Sequence, residues 1–229
     1  MSSLVINSKI WGEMFGTREM SEIFSDKKTI QYYLDVEAAL ARVQSRLGII
    51  PKTCGLEISK VARTDWIDWE LLEKRTSIVG YPILPLVEQL SLKVKKNLGQ
   101  YCHWGATTQD IMDTADVLQI RDALSILLSD LVGIKKALKK LVKKYINTPM
   151  SGRTHLQHAL PTSFGYKCST WLSGIERHID RIKQIKERLF YVSFFGAAGT
   201  LASLGEKDGL RTKNRLAKEL KLKFCWLKS

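Results

Sequence analysis

The sequence predicts an all-α protein, and three observations carry that prediction. Apolar residues recur at steps of three and four along most of the 229 residues. No stretch alternates apolar and polar side chains as a half-buried strand does. Two of the periodic stretches are also much longer than an ordinary helix, which is the texture of a helical bundle. With 45% hydrophobic and 26% charged residues the composition is that of a folded globular chain.

The first clear helix is expected from about Asp26 to Leu47, capped by Ser25 or Asp26 and stopped by Gly48, with Tyr33, Val36, Leu40, Val43 and Leu47 inward. A connection bearing Pro51 follows. Two shorter helices flank GYPILP, residues 80–85, the second carrying Val87, Leu90, Val94 and Leu98 before Gly99. Long helices are expected from about Asp113 to Ile146 and from about Phe164 to Phe194, roughly 45–50 Å each at 1.5 Å per residue. In the second, Cys168, Leu172, Ile175, Ile179, Ile182 and Leu189 form a bundle seam. Joined by a connector around Pro149 and Pro161, the two helices pack antiparallel. A soft boundary near residue 100 divides a small helical N-terminal domain, 1–100, from part of a long-helix bundle, 101–229.

Several function classes are set aside on composition. No apolar run reaches the roughly 18 residues needed to cross a bilayer, and the N-terminus lacks a secretory pattern, so a soluble cytoplasmic protein is expected. Cys54, Cys102, Cys168 and Cys225 have neither metal-site nor disulfide-framework spacing. The formal charge of +13 could suit a polyanion. However, much of the excess sits in IKKALKKLVKKY, residues 134–145, where Ile134, Leu138, Leu141 and Tyr145 share one face and the lysines point away. This is read as a solvated helix face, not as a nucleic-acid surface.

Three segments break the helical texture: HWGATTQD at 103–110, GRTHLQHALP at 152–161 and GAAGTLASLG at 196–205. A Gly/Thr-rich turn entering a helix leaves N–H groups unpaired at the positive end of the macrodipole, an arrangement that holds a carboxylate. Thr107 and Thr108 add hydroxyls there, or else simply cap the helix. His155 and His158 are candidates for proton transfer because histidine titrates near neutrality. Arg153, Thr154 and Gln157 around them could pair with a carboxylate, although a lone loop histidine is more often a structural hydrogen bonder. His103 is a third candidate, Trp104 core or pocket wall, and His178 surface. The first and second segments flank one long helix, so a site using both needs neighbouring copies running antiparallel. The third segment returns near the first.

HWGATTQDIMDTA, GRTHLQHALPTSFG and GAAGTLASLG, in that order, resemble the fumarase/aspartase superfamily, with phrasing nearest the 3-carboxy-cis,cis-muconate cycloisomerase branch and adenylosuccinate lyase-like proteins. FGTREMSEIFSD at 15–26 and VGYPILPLVEQL at 79–90 are similar to that branch too, so only the tail KLKFCWLKS looks foreign. The resemblance implies a homotetramer whose sites each draw on three subunits, and a small unsaturated polycarboxylate substrate. It implies a lyase or intramolecular lyase reaction in which a base removes a proton beside a carboxylate, with no metal or organic cofactor. The family includes other outcomes on unsaturated tricarboxylates, which leaves decarboxylation of an aconitate-like acid open.

Carried over by position, His103, Thr107, Thr108 and Gln109 match the family's first substrate-binding segment. His155 matches the histidine of the T-H-x-Q motif and is assigned general acid, with His158 as the secondary catalytic candidate. Arg153, Thr154 and Gln157 would hold carboxylates, and Ser203 has slender support. RTSIVGY at 75–81 lacks the histidine that adenylosuccinate lyases place there, which argues against a purine substrate. The serine-bearing loop of the form S-S-x-M-P-x-K-x-N, which supplies the base, is absent. So are the remaining bundle helices and the C-terminal domain, and the chain is expected to be truncated and inactive by itself. The alternative is a non-catalytic or regulatory fragment that assembles with a full-length relative.

Overall fold

A computed structural model describes residues 5, 8 and 10–224 of the chain; Cys225 and the end of the KLKFCWLKS tail lie outside the described residues. Two short helices, α1 (Gly12–Phe15) and α2 (Arg18–Ile23), lead into α3 (Asp26–Leu47). The Ser25 hydroxyl caps α3 by accepting from Lys28 N–H at 3.2 Å, and Gly48 ends it in the left-handed region, φ 74°. Four of the five expected inner residues, Tyr33, Val36, Leu40 and Val43, are buried. So are Leu34, Ala38, Ala39 and Ala41, which makes α3 a central helix enclosed on nearly all sides.

Around it lie α4 (Cys54–Val61), α5 (Trp69–Val79), α6 (Ile83–Lys93) and α9 (Glu206–Leu220). Glu219 on α9 bridges Arg42 (2.8 Å) and Arg46 on α3. The second helix beside GYPILP stops at Lys93, earlier than the spacing of Leu90, Val94 and Leu98 implies. Val94 is extended, Lys96 and Asn97 take φ of 62° and 57°, and Leu98–Tyr101 form a separate 3₁₀ turn. Apolar spacing of four persists across that break, and periodicity alone reads it as one helix.

The long helices are α7 (Thr108–Tyr145) and α8 (Phe164–Leu189). At its end α8 gives way to extended chain: Lys223 N–H donates to Phe190 O (2.7 Å) and Val192 N–H to Lys223 O (3.1 Å), so strand-like pairing replaces the last expected helical turn.

The connector between the long helices corrects the expectation of no strand. It is an antiparallel hairpin, β1 (Pro149–Thr154) and β2 (Gln157–Ser163), with Met150 opposite Thr162 and Thr154 opposite Gln157. An apolar–polar alternation arises when one sheet face is buried. Here every residue of both strands is exposed or half-buried, and the alternation has no cause to appear.

The chain falls into two compact units, Met1–Arg121 with Phe190–Ser229, and Asp122–Leu189; residue 100 lies within the first. The first holds the main core, including Leu34, Leu40, Ile58, Leu86, Ile111, Phe194 and Leu216. In the second, α7 and α8 run antiparallel. Tyr145 meets the Phe164 ring edge-on at 5.4 Å, Lys135 reaches Glu176 at 3.0 Å, and Cys168 and Ile179 of the expected seam are buried. No helix among the described residues is long and apolar enough to cross a membrane.

Candidate functional site

The first segment is held from below by two polar residues on the buried face of α3. Glu37, 2% exposed, accepts the His103 backbone N–H at 3.1 Å and meets the His103 ring Nδ1 at 2.5 Å. Gln44, two turns further along, donates to Trp104 O at 2.7 Å. A residue with a side chain pays a conformational cost at positive φ, and His103 stands at φ 58° because these bonds hold it there. Burial alone would lower the pKa of His103. The charge and hydrogen bond of Glu37, with the charge of Asp110, outweigh it and leave the imidazole above its ordinary value.

From His103 the chain turns through Gly105, φ 72°, into α7. A Cβ there would come within 2.6 Å of Leu204, so both the turn and the close approach require glycine. The N–H of Thr107, just before the helix, donates to Asp110 Oδ2 at 3.0 Å, closing the helix start from the side chain three residues on. Among the described residues the hydroxyls of Thr107 and Thr108 have no hydrogen-bond partner, so capping does not occupy them. Gln109 is exposed, and its side-chain amide donates to Asp113.

Asp110 is the second buried acid of the site, 3% exposed. Its Oδ1 accepts from Phe195 N–H (2.8 Å) and its Oδ2 from Gly196 N–H (2.9 Å), while the Thr114 hydroxyl exchanges 3.0 Å bonds with the backbone of Ser193. The first and third segments are thereby fastened together at the start of α7, as their order along the chain implied. Ser203, in the third segment, is exposed.

The second segment belongs to the other unit and is the hairpin itself. His155 and Leu156 make its two-residue turn, Leu156 at φ 62° and 98% exposed. Arg153, Thr154, His155, Gln157 and His158 are all exposed. The ring Nδ1 of His158 lies 2.7 Å from the Ser151 hydroxyl. His178 is exposed on α8, beside Arg181 at 3.2 Å. No group of three His, Cys, Asp or Glu side chains among the described residues could hold a metal ion.

Sequence reading missed Glu37, Gln44 and Asp110. For the first two a signal exists: an acid and an amide seven residues apart lie on a face otherwise made of Tyr33, Leu40 and Val43.

Against known proteins, the lyase family model matches residues 14–227. The chain is 45% identical over 210 residues to trans-aconitate decarboxylase 1 of Mycosarcoma maydis, covering 92% of this chain and 42% of that protein. Among solved structures it is similar to a fumarate lyase from Mesorhizobium sp. BNC1, with 51% identity and TM-score 0.86, covering 92% of this chain and 49% of the other. It is also similar to the β-carboxy-cis,cis-muconate cycloisomerase of Acinetobacter calcoaceticus sp. ADP1, with 37% identity and TM-score 0.91, covering 95% and 51%. The chain spans about half the length of the curated relatives it matches.

Proposed function

Since the chain belongs to the lyase family, within the fumarase/aspartase superfamily, we propose that in its assembled form it acts on a small unsaturated polycarboxylate. The reaction breaks a C–H bond beside a carboxylate, in the manner of a 3-carboxy-cis,cis-muconate cycloisomerase. The observation that carries this reading is the start of α7. There two unengaged hydroxyls, Thr107 and Thr108, sit at the positive end of a 38-residue helix, beside a histidine held by a buried acid.

In the proposed chemistry a base takes the proton, and the C–H electron pair passes into a carbanion whose charge is shared with the neighbouring carboxylate. That pair then closes the C=C bond as the bond to the leaving group breaks. Developing negative charge needs preorganised donors, and Thr107, Thr108, Gln109 and His103 serve one carboxylate while Arg153, Thr154 and Gln157 serve another. His155 gives the leaving group its proton, with His158 as the second candidate.

The first and second segments flank α7, whose 38 residues make a helix of about 57 Å. A site that uses both therefore takes them from neighbouring copies lying antiparallel, the homo-oligomer being a tetramer as in the family. The resemblance assigns the base to a serine-bearing loop outside these segments, and the chain alone is proposed to be inactive. A second reading, a regulatory fragment that joins a full-length relative, is favoured by apolar residues left exposed on the long helices: Leu127, Val132, Trp171 and Ile185.

One experiment addresses both readings. The purified chain is assayed alone, and after mixing with a full-length relative, against carboxymuconolactone, fumarate, argininosuccinate, adenylosuccinate and trans-aconitate. Binding of trans-aconitate to the chain alone is measured by calorimetry. Expected are no turnover by the chain alone and weak binding that Thr108→Val reduces about tenfold, the loss of one hydrogen bond to a charged group. Turnover by the chain alone overturns the proposed inactivity, and binding indifferent to Thr108 overturns the polycarboxylate site. Mixed oligomers with altered activity would make the chain regulatory, and failure to associate removes the second reading.

A further inference from the structure

The clamp beneath the first segment assigns a task to Glu37, which rests on the polycarboxylate reading for the ligand but not for the geometry. Both oxygens of this buried carboxylate go to one residue, Oε2 to the His103 backbone N–H and Oε1 to ring Nδ1. A carboxylate can only accept, so Nδ1 carries the shared hydrogen and Nε2 is the ring's remaining polar atom. The His103 side chain is 19% exposed and Glu37 1%, so the histidine reaches the surface while its partner does not. Gln44 grips the next peptide, at Trp104 O. The ring is thus fixed at its inner nitrogen and at its backbone, four residues before the first unengaged threonine. The geometry points to Glu37 as a positioning residue that turns His103 so that Nε2, and not Nδ1, meets a substrate carboxylate.

Charge follows from the same contacts. The charged groups facing the ring are Glu37 from α3 and Asp110 from α7; the adjacent Cys102 thiol, pushed up to about 12 by burial, is neutral. Burial opposes protonation of His103, and the two acids together outweigh it, so the imidazole pKa is raised from its ordinary value. Protonated, it presents Nε2–H to a carboxylate as a charge-assisted donor. For a folded-state value above the unfolded one, the stabilisation is full below the unfolded value and is lost as pH rises through the folded value. His103 in this role binds an anion and does not shuttle a proton.

The test is ring nitrogen NMR of the full 229-residue chain, titrated with pH without ligand and then with trans-aconitate. In the unsubstituted chain Nδ1 should stay protonated throughout, Nε2 should be the nitrogen that titrates, and the midpoint should lie above 6.5. Glu37→Gln should lower that midpoint by about one pH unit or more. If Nδ1 proves to be the nitrogen that loses its proton, the positioning role is overturned on the unsubstituted chain, whether or not the variant folds. An unchanged midpoint in folded Glu37→Gln overturns it as well. Added trans-aconitate should shift the Nε2–H resonance. If it moves no resonance of residues 103–110 while the Glu37 results hold, the substrate class falls and the positioning of the ring stands.

Discussion

Asp110 receives three backbone N–H groups, from Phe195, Gly196 and Thr107, at 2.8–3.0 Å. One comes from the first residue of the third segment, one from the residue before it and one from the helix start, so a single side chain fixes the relation between two stretches of the candidate site. Asp110→Ala would leave buried N–H groups without acceptors, and we expect it to cost roughly 3–5 kcal/mol in urea unfolding, with Asp110→Asn costing less because one oxygen remains. A loss below about 1 kcal/mol would mean that the two segments hold together without it. The candidates Thr107, Thr108, His103 and His155 stand out in the sequence because they interrupt an apolar rhythm. The roles of Asp110, Glu37 and Gln44 are not legible there, because most of their partners are peptide groups from distant parts of the chain. Sequence displays side chains, whereas the demand for these three is set by peptide groups that only the fold brings near.

The helices were readable where their ends are chemically marked. Ser25 and Gly48 bound α3, and both do so in the structure. α6 was overrun because its end is marked by positive φ at Lys96 and Asn97 and not by glycine or proline. The hairpin was missed for a different reason: two strands without a buried face leave no alternating trace, and its register rests on backbone bonds and on the turn at His155–Leu156. At the foot of that hairpin Gly165 lets α8 begin against the end of α7; a Cβ would stand 2.5 Å from Ile146 Cα, which is backbone and cannot swing aside. Gly165→Val should therefore force the two helix ends apart and destabilise residues 122–189 by about 1–3 kcal/mol. The check is faster amide exchange in α8 together with unaltered exchange in α3; equal protection in both would show that the close approach is dispensable.

Two compact units share one unbroken helix, and burial along it is uneven. Asp110, Ile111, Thr114, Ala115, Leu118 and Gln119 are buried in its first third, Ala123 follows, and no residue of α7 beyond Ala123 is buried. Average helices owe most of their stability to tertiary packing, so amides up to Arg121 should exchange slowly in dilute solution and those from Leu124 to Tyr145 quickly. Raising the protein concentration should slow the second group and leave the first unchanged; uniform protection in the most dilute sample would contradict this. α7 is thus a gauge graduated by its own amino acids. Deuterium uptake along one rod would report, residue by residue, how far company has gathered around it.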